Sequence, residues 1–230
     1  MNQTSALSQI DHWVFDLDNT LYPASCNLFS QIDWRMTSFI SETLKLPPEE
    51  ARALQKAMFR KYGYTLRGLM LEHGVPPTDF LDYVHDIDYA PVPACGRLKA
   101  ALEALPGEKL IFTNGTVRHA ERVLERLGLD GFAGIFDIVA ADYTPKPDPA
   151  PYDRFVKRHA VDPRRAAMVE DIARNLVPAA ALGMTTVWVT GSPDWAKDGS
   201  EGDHIHHATD DLAGWLETLT AKAPDTPGGS

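Results

Sequence analysis

Cysteine is scarce in this 230-residue chain: only Cys26 and Cys95 occur, without metal-ligand or redox spacing. Two such thiols do not make a disulfide scaffold, so a reducing, cytoplasmic setting is the expectation. Positive charge is also short, with 22 Lys and Arg against 32 Asp and Glu, a formal net charge of -10. That balance argues against a binder of polymeric nucleic acid, whose affinity rests on clustered Lys and Arg. No apolar run approaches the length needed to span a bilayer, so no membrane partner is expected. Residues 1–9 have neither the basic region nor the apolar core of a signal peptide. There is no internal repeat. Residues 223–230 are small, polar and turn-forming and read as a disordered tail.

What remains is an ordinary globular composition, 44% hydrophobic and 23% charged. The length suits one core domain with a small accessory domain. The stretch Asp16-Leu17-Asp18-Asn19-Thr20-Leu21-Tyr22-Pro23 follows the apolar run Trp13-Val14-Phe15. A buried run ending in two carboxylates reads as a strand, over residues 10–16, that feeds an active-site loop. Asp16 and Asp18 are close enough to repel each other and invite a cation, and an oxygen-only donor set favours Mg²⁺ over zinc. A plain Asx-turn closing a surface loop is the rival reading. His12, on the strand itself, reads as structural.

After Pro23 the period changes. Phe29, Ile32, Met36, Phe39, Ile40 and Leu44 recur at three and four residues, the pattern of an amphipathic helix. Pro47-Pro48-Glu49-Glu50 opens a second helix. Shorter ones are expected over 65–72 and 77–85, broken by Gly74-Val75-Pro76. Four helices inserted after the first strand predict a helical cap over 23–90. The Rossmann-like core is then assigned to 1–22 and 91–222. Such an insertion would cover the crevice holding Asp16. Within it, Tyr62 or Tyr64 could stack on a base or sugar and Arg67 could meet an anion, or the tyrosines could pack between helices with Arg67 solvated.

From residue 93 helices and strands alternate, as in an α/β fold with a parallel sheet. A helix is expected over 95–105, a strand over 109–112 and a helix over 117–127. Thr113-Asn114-Gly115 lies between the last two, where a hydroxyl and backbone N–H groups can hold a phosphate, although Asn-Gly is also a common turn. Residues 136–140 read as a further strand, followed by Lys146 between Pro145 and Pro147. An ammonium fixed there would reduce repulsion between a phosphate and Asp16, unless it is a charge in a surface turn. Ala166-Ala167-Met168-Val169 ends in Glu170-Asp171. Asp171 is the natural third protein ligand for the cation. Glu170 could reach the metal through water or orient the loop, and Asn175 could hydrogen-bond back along the first helical turn. A helix over 177–182, a strand over 185–189 and a helix over 212–219 complete the core. His204, His206 and His207 read as a solvated loop, and Trp188 and Trp195 as core or loop-anchoring aromatics.

Acids, then hydroxyl plus amide, then Lys, then acids thus follow successive strands, and a parallel sheet gathers such ends at one edge. The charges then assign roles. Asp16 attacks a phosphoryl group to form an aspartyl-phosphate, and Asp18 protonates the leaving oxygen and later activates water. Thr113, the Asn114 amide and Lys146 hold the non-bridging oxygens.

These four motifs, Asp16 to Thr20, Thr113-Asn114, Lys146-Pro147, and Glu170-Asp171 with Asn175, resemble those of the haloacid dehalogenase superfamily over roughly residues 10 to 219. The resemblance implies a modified Rossmann-like core with a helical cap between the first two motifs. It also implies Mg²⁺ held by Asp16, the backbone carbonyl of Asp18 and Asp171. Dehalogenases of the superfamily lack an acid equivalent to Asp18, so phosphate esters are favoured over haloacids, and phosphomutases stay open. The motif 16–23, the stretch Tyr62-Gly63-Tyr64-Thr65-Leu66-Arg67-Gly68-Leu69 and the stretch 80–88 look like the pyrimidine 5'-nucleotidase branch. That branch removes phosphate from UMP and CMP. The alternatives are a sugar-phosphate or flavin mononucleotide phosphatase, a phosphomutase, or a non-catalytic interaction module. The expected partner is a small phosphorylated metabolite. The sequence sets no oligomeric state.

Overall fold

Six short strands, each entered and left through turns or helices, form one sheet in a computed structural model. The structure describes Leu7 and residues 9–220, so the tail assigned to 223–230 lies outside the described residues. The strands are β1 His12–Phe15, β2 Glu108–Phe112, β3 Phe132–Phe136, β4 Ala166–Glu170, β5 Thr185–Val189 and β6 His207–Thr209. Their spatial order is β3-β2-β1-β4-β5-β6, and every neighbouring pair is parallel. The fold is an α/β fold with a Rossmann-like parallel sheet.

Parallel strands covered on both faces alternate between two apolar layers. Trp13, Phe15, Ile111 and Val169 face one layer with helices α5 (Gly96–Ala104), α6 (Val117–Leu127) and α9 (Leu212–Thr220). Val14, Leu110, Phe112 and Met168 face the other, with α7 (Pro149–Arg158) and α8 (Leu176–Leu182). Register then sets the site. Phe15 pairs with Ile111 on one side and Val169 on the other, so β1, β2 and β4 end together.

Between β1 and α5 lie α1 (Leu28–Leu44), α2 (Pro48–Tyr62), α3 (Thr65–His73) and α4 (Pro77–Val84). They share an apolar cluster, including Ile40, Met58, Leu66 and Phe80, which Ile138 from the loop after β3 also joins. Gly68 lets α3 approach α2, because a Cβ there would lie 2.6 Å from the Met58 sulfur. Trp195, on the loop after β5, reaches back to this group, with its ring 6.5 Å from Phe29 and 6.3 Å from Phe59. Among the described residues, no helix is long and apolar enough to cross a membrane.

Two expectations need correction and one helix is new. The strand expected over 136–140 is β3, four residues earlier, and 138–143 form turns. Asp137 accepts hydrogen bonds from the backbone of Ala140 and Val117, and Ile138 is buried among the helices of the insertion, so that apolar run has no place in the sheet. The histidines near the C-terminal end are a solvated loop only in part: His204 lies in a turn and exposed His206 in irregular chain, but the segment is tied to the sheet. His207 opens β6, and His206 Nδ1 accepts from the Thr186 backbone at 3.0 Å. Buried Thr186 Oγ1 donates to the His204 carbonyl at 2.5 Å, and satisfying that hydroxyl ties the segment down. Helix α7 was not foreseen, although Asp148 caps it and Pro149 starts it.

Candidate active site

The loop leaving β1 places Asp16 at the carboxyl edge of the sheet, 6% exposed. Its backbone N–H still donates to Val169 at 2.9 Å, so the last ladder bond of the strand fixes the residue. Thr20 Oγ1 donates to Asp16 Oδ2 at 3.0 Å, and Lys146 Nζ donates to Oδ1 at 2.7 Å.

Lys146 is the centre of this edge. Its buried ammonium also donates to Glu170 Oε2 at 2.6 Å and to the Phe112 carbonyl at 2.8 Å. All three of its protons are used, which is the condition for burying such a group. Burial disfavours its charge, but Asp16 and Glu170 more than compensate and raise its pKa above the ordinary lysine value. The surface-turn reading of Lys146 is overturned by this burial. Asn114 holds the Lys146 loop: its Oδ1 accepts from the Lys146 N–H at 2.9 Å, and its Nδ2 donates to the Lys146 carbonyl at 3.3 Å. Thr113 is buried beside them, and its hydroxyl oxygen accepts from the Gly115 N–H at 2.9 Å.

Glu170 ends β4 and Asp171 follows it. Asp16, Glu170 and Asp171 each offer a carboxylate oxygen, and the three oxygens lie within 4.8 Å of one another. One ammonium faces three buried carboxylates. Burial, and then the charge of Glu170, raise Asp16 to about 7 despite Lys146, and the same two causes push Asp171 well above the carboxylate range. A compact, all-carboxylate, excess-negative cluster fits a hard divalent cation such as Mg²⁺. Asp171 is further held by Ser192 Oγ at 2.6 Å, and its carbonyl accepts from Trp188 Nε1 at 2.8 Å. Glu170 Oε1 accepts from the Ile172 N–H at 3.2 Å, in keeping with a loop-orienting residue. Asn175 is buried in a short 3-10 turn, where its carbonyl accepts from Tyr152 at 2.5 Å.

Asp18 lies beyond the sheet, in a turn where Asn19 has φ 60. Burial alone would raise its pKa, but His119 and Tyr22 hold it as a carboxylate, down to about 2. The insertion contributes Tyr64, whose hydroxyl donates to the Asn114 carbonyl at 2.9 Å. Burial and the Asp18 charge raise the Tyr64 pKa. Tyr62 does not join it, since its hydroxyl donates to Glu72 at 2.6 Å. Arg67 is half-exposed, with Nη1 3.4 Å from Asp148 Oδ2, so the anion it meets here belongs to the core.

The family model for haloacid dehalogenase-like hydrolases matches residues 10–183, which includes every one of these strand ends. The chain belongs to that family. Its relatives include phosphate metabolism protein 8 of Saccharomyces cerevisiae, 27% identical over 190 residues, covering 74% of this chain and 58% of that protein. A shorter match, 47% identical over 58 residues, joins 25% of this chain to 24% of the enolase-phosphatase E1 of Frankia alni. The chain thus spans less than two thirds of the length of the curated relatives it matches. Among solved structures, a HAD phosphatase from Thermococcus onnurineus shares the fold with a TM-score of 0.59 at 17% identity, over 91% of this chain and 98% of that one. A 2-haloacid dehalogenase from Pseudomonas syringae gives 0.57 at 21%, over 91% and 98%.

The chain of this haloacid dehalogenase-like hydrolase gathers Asp16, Thr113, Asn114, Lys146, Glu170 and Asp171 at one sheet edge, with Asp18 on the turn just beyond it. Sequence reading missed the residues around Asp18: His119, Tyr89 and His85. A lone histidine on the buried face of an amphipathic helix carries no local signal. Its partner lies 101 residues away in the chain.

Proposed function

We propose that this hydrolase is a Mg²⁺-dependent phosphomonoesterase acting through an aspartyl-phosphate on Asp16. The observation that carries the reading is the second carboxylate, Asp18, whose Oδ2 faces the Thr113–Gly115 loop: a Cβ built on Gly115 would lie 3.8 Å from it. A haloacid needs no proton on its leaving halide, whereas an ester oxygen does.

Asp16 and Asp171, with the Asp18 backbone carbonyl, would hold Mg²⁺, and Glu170 would support them. When bound, the ion supplies positive charge against the transferring phosphoryl group and the acids. The Asp16 carboxylate attacks phosphorus in line while the bond to the leaving oxygen breaks. Lys146 steadies Asp16 and neutralises the approaching anion, and Thr113 with the Asn114 amide takes the non-bridging oxygens. Asp18 rests as a carboxylate. A phosphate anion arriving beside it raises its proton affinity, so it can protonate the leaving oxygen. It then takes a proton from the water that attacks the aspartyl-phosphate, which releases inorganic phosphate and restores Asp16.

The substrate we propose is a pyrimidine mononucleotide such as UMP or CMP, read by the helical insertion over 23–90, with Tyr64 and Arg67 as the nearest candidates on it. An apolar cluster built almost wholly from these helices supports treating them as a cap on a core of 1–22 and 91–222. The test is Mg²⁺-dependent phosphate release from UMP, CMP, AMP, a sugar phosphate and flavin mononucleotide, with Asp16→Asn alongside. Turnover of UMP and CMP that is lost in the variant is the expected result. Broad turnover would remove the pyrimidine assignment and keep the mechanism. Isomerisation without phosphate release would replace the hydrolase with a mutase.

A further inference from the structure

Asp18 presents a problem that Asp16 does not. Asp16 is fixed by the end of β1, but Asp18 sits on the turn beyond it, 21% exposed at its side chain, where the sheet cannot aim it. A carboxylate free to rotate would present its proton to the leaving oxygen only part of the time, and misalignment of this kind is costly in rate.

The structure supplies a clamp. Tyr22 Oη donates to Asp18 Oδ1 at 2.5 Å, and His119 Nε2 donates to the same oxygen at 2.7 Å. Both donors are buried, Tyr22 at 2% and His119 at 0% exposure. The histidine is itself held. Its Nδ1 lies 3.0 Å from the Tyr89 hydroxyl, which also reaches the His85 carbonyl at 3.1 Å. The His85 ring stacks on it with centroids 4.5 Å apart and planes inclined by 19°. The N–H of His119 donates to Thr116 Oγ1 at the start of α6, which fixes how far along the helix the ring emerges. Gly115 makes room: a Cβ there would stand 3.0 Å from His119 Cδ2.

Both donors take one oxygen and leave the other, Oδ2, facing the phosphate-holding loop. We propose that His119 and Tyr22 are positioning residues for the acid–base step, which they serve by locking Asp18 through Oδ1 so that Oδ2 alone delivers and collects the proton. Tyr89 acts one step further out by fixing the His119 ring. The proposal rests on the phosphatase reading above. In the first half-reaction the Asp16 oxygen bonds to phosphorus, the bond to the leaving oxygen breaks, and the proton on Asp18 Oδ2 passes to that oxygen. In the second, water bonds to phosphorus, its proton passes to Oδ2 and the bond to Asp16 breaks.

A leaving group that is stable as an anion needs no proton, and this separates positioning from mere structural support. The experiment compares kcat/KM, which reports only the first half-reaction, for an alkyl phosphate ester and for p-nitrophenyl phosphate in the wild type, His119→Leu, His119→Gln and Tyr22→Phe. Losing alignment of a general acid worth about 100-fold or more should lower the alkyl value about 10- to 100-fold in His119→Leu and leave the p-nitrophenyl value within about 3-fold. Tyr22→Phe, which removes one hydroxyl, should lose less in the same direction. His119→Gln, which returns a donor near the Nε2 position, should recover part of the loss. Equal losses on both substrates, or an alkyl value unchanged in both His119→Leu and Tyr22→Phe, would overturn the clamp. If the wild type hydrolyses neither ester and releases no phosphate from the panel above, the phosphatase reading itself falls, and the clamp with it.

Discussion

The Asn114 side chain holds the Lys146 backbone by two hydrogen bonds, one donated to its carbonyl and one accepted from its N–H, across a gap of 32 residues. The pair joins the loop after β2 to the loop that carries the ammonium. The side-chain amide of Asn114 is therefore occupied with Lys146, and it is the Asn114 backbone N–H that is proposed to meet phosphate.

Asn114→Ala removes both bonds and leaves a half-buried N–H and carbonyl on the Lys146 side. The expected cost is about 1–3 kcal/mol of stability. With Lys146 less firmly aimed, kcat should fall about 10-fold or more while KM changes little. Denaturant unfolding and steady-state kinetics on the same preparation check both parts.

The acidic cluster predicts how metal and pH interact. With Asp16 raised to about 7, the folded, metal-free protein binds more protons than the unfolded chain between about pH 4 and pH 7. Its contribution to stability is present below that window and is lost as pH rises through 7, because the carboxylate must then be charged beside Glu170. Added Mg²⁺ offsets that charge and competes with the proton. The rise in Tm on adding Mg²⁺ to chelator-treated protein should be small at pH 5 and clear at pH 7.5, and lost in Asp171→Asn. Thermal unfolding at the two pH values reads this directly, and an equal rise at both would contradict it.

Arg67 separates stability from recognition. Its ion pair with Asp148 is half-exposed on both sides and is worth less than about 1 kcal/mol. Arg67→Ala should therefore unfold within about 1 kcal/mol of the wild type. If Arg67 reads the nucleotide, KM for UMP and CMP should rise several-fold with little change for p-nitrophenyl phosphate. A KM unchanged for all substrates would leave Arg67 as a surface ion pair.

Most of the sheet edge was legible in the sequence because three of its groups follow an apolar run directly, Asp16 after Phe15, Thr113 after Phe112 and Asp171 after β4, whereas Lys146 comes ten residues after β3 and was marked by its flanking prolines. Such breaks are local and survive in one dimension. The helix Val117–Leu127 was read to its ends for the same reason, its apolar positions recurring on one face. The turns at 138–143 were not, since Ile138 is buried against helices far earlier in the chain, between Leu28 and Val84, and an apolar run does not say which neighbour will cover it. Pro149 and Pro151 obscured α7, although a proline in the first turn is compatible with a helix start. His119 shows the deeper limit. Its role comes from a partner 101 residues away, and nothing within its own helix marks it apart from an ordinary core side chain.

The central place of β1, bonded to β2 on one side and β4 on the other, also bears on which motions the chemistry can tolerate. A strand without a free edge gives up its amide protons to solvent only when the whole sheet opens, while helices outside the sheet can loosen at far lower cost. The helices between β1 and α5 lie outside the sheet, so loosening them breaks no ladder bond of the strand that fixes Asp16.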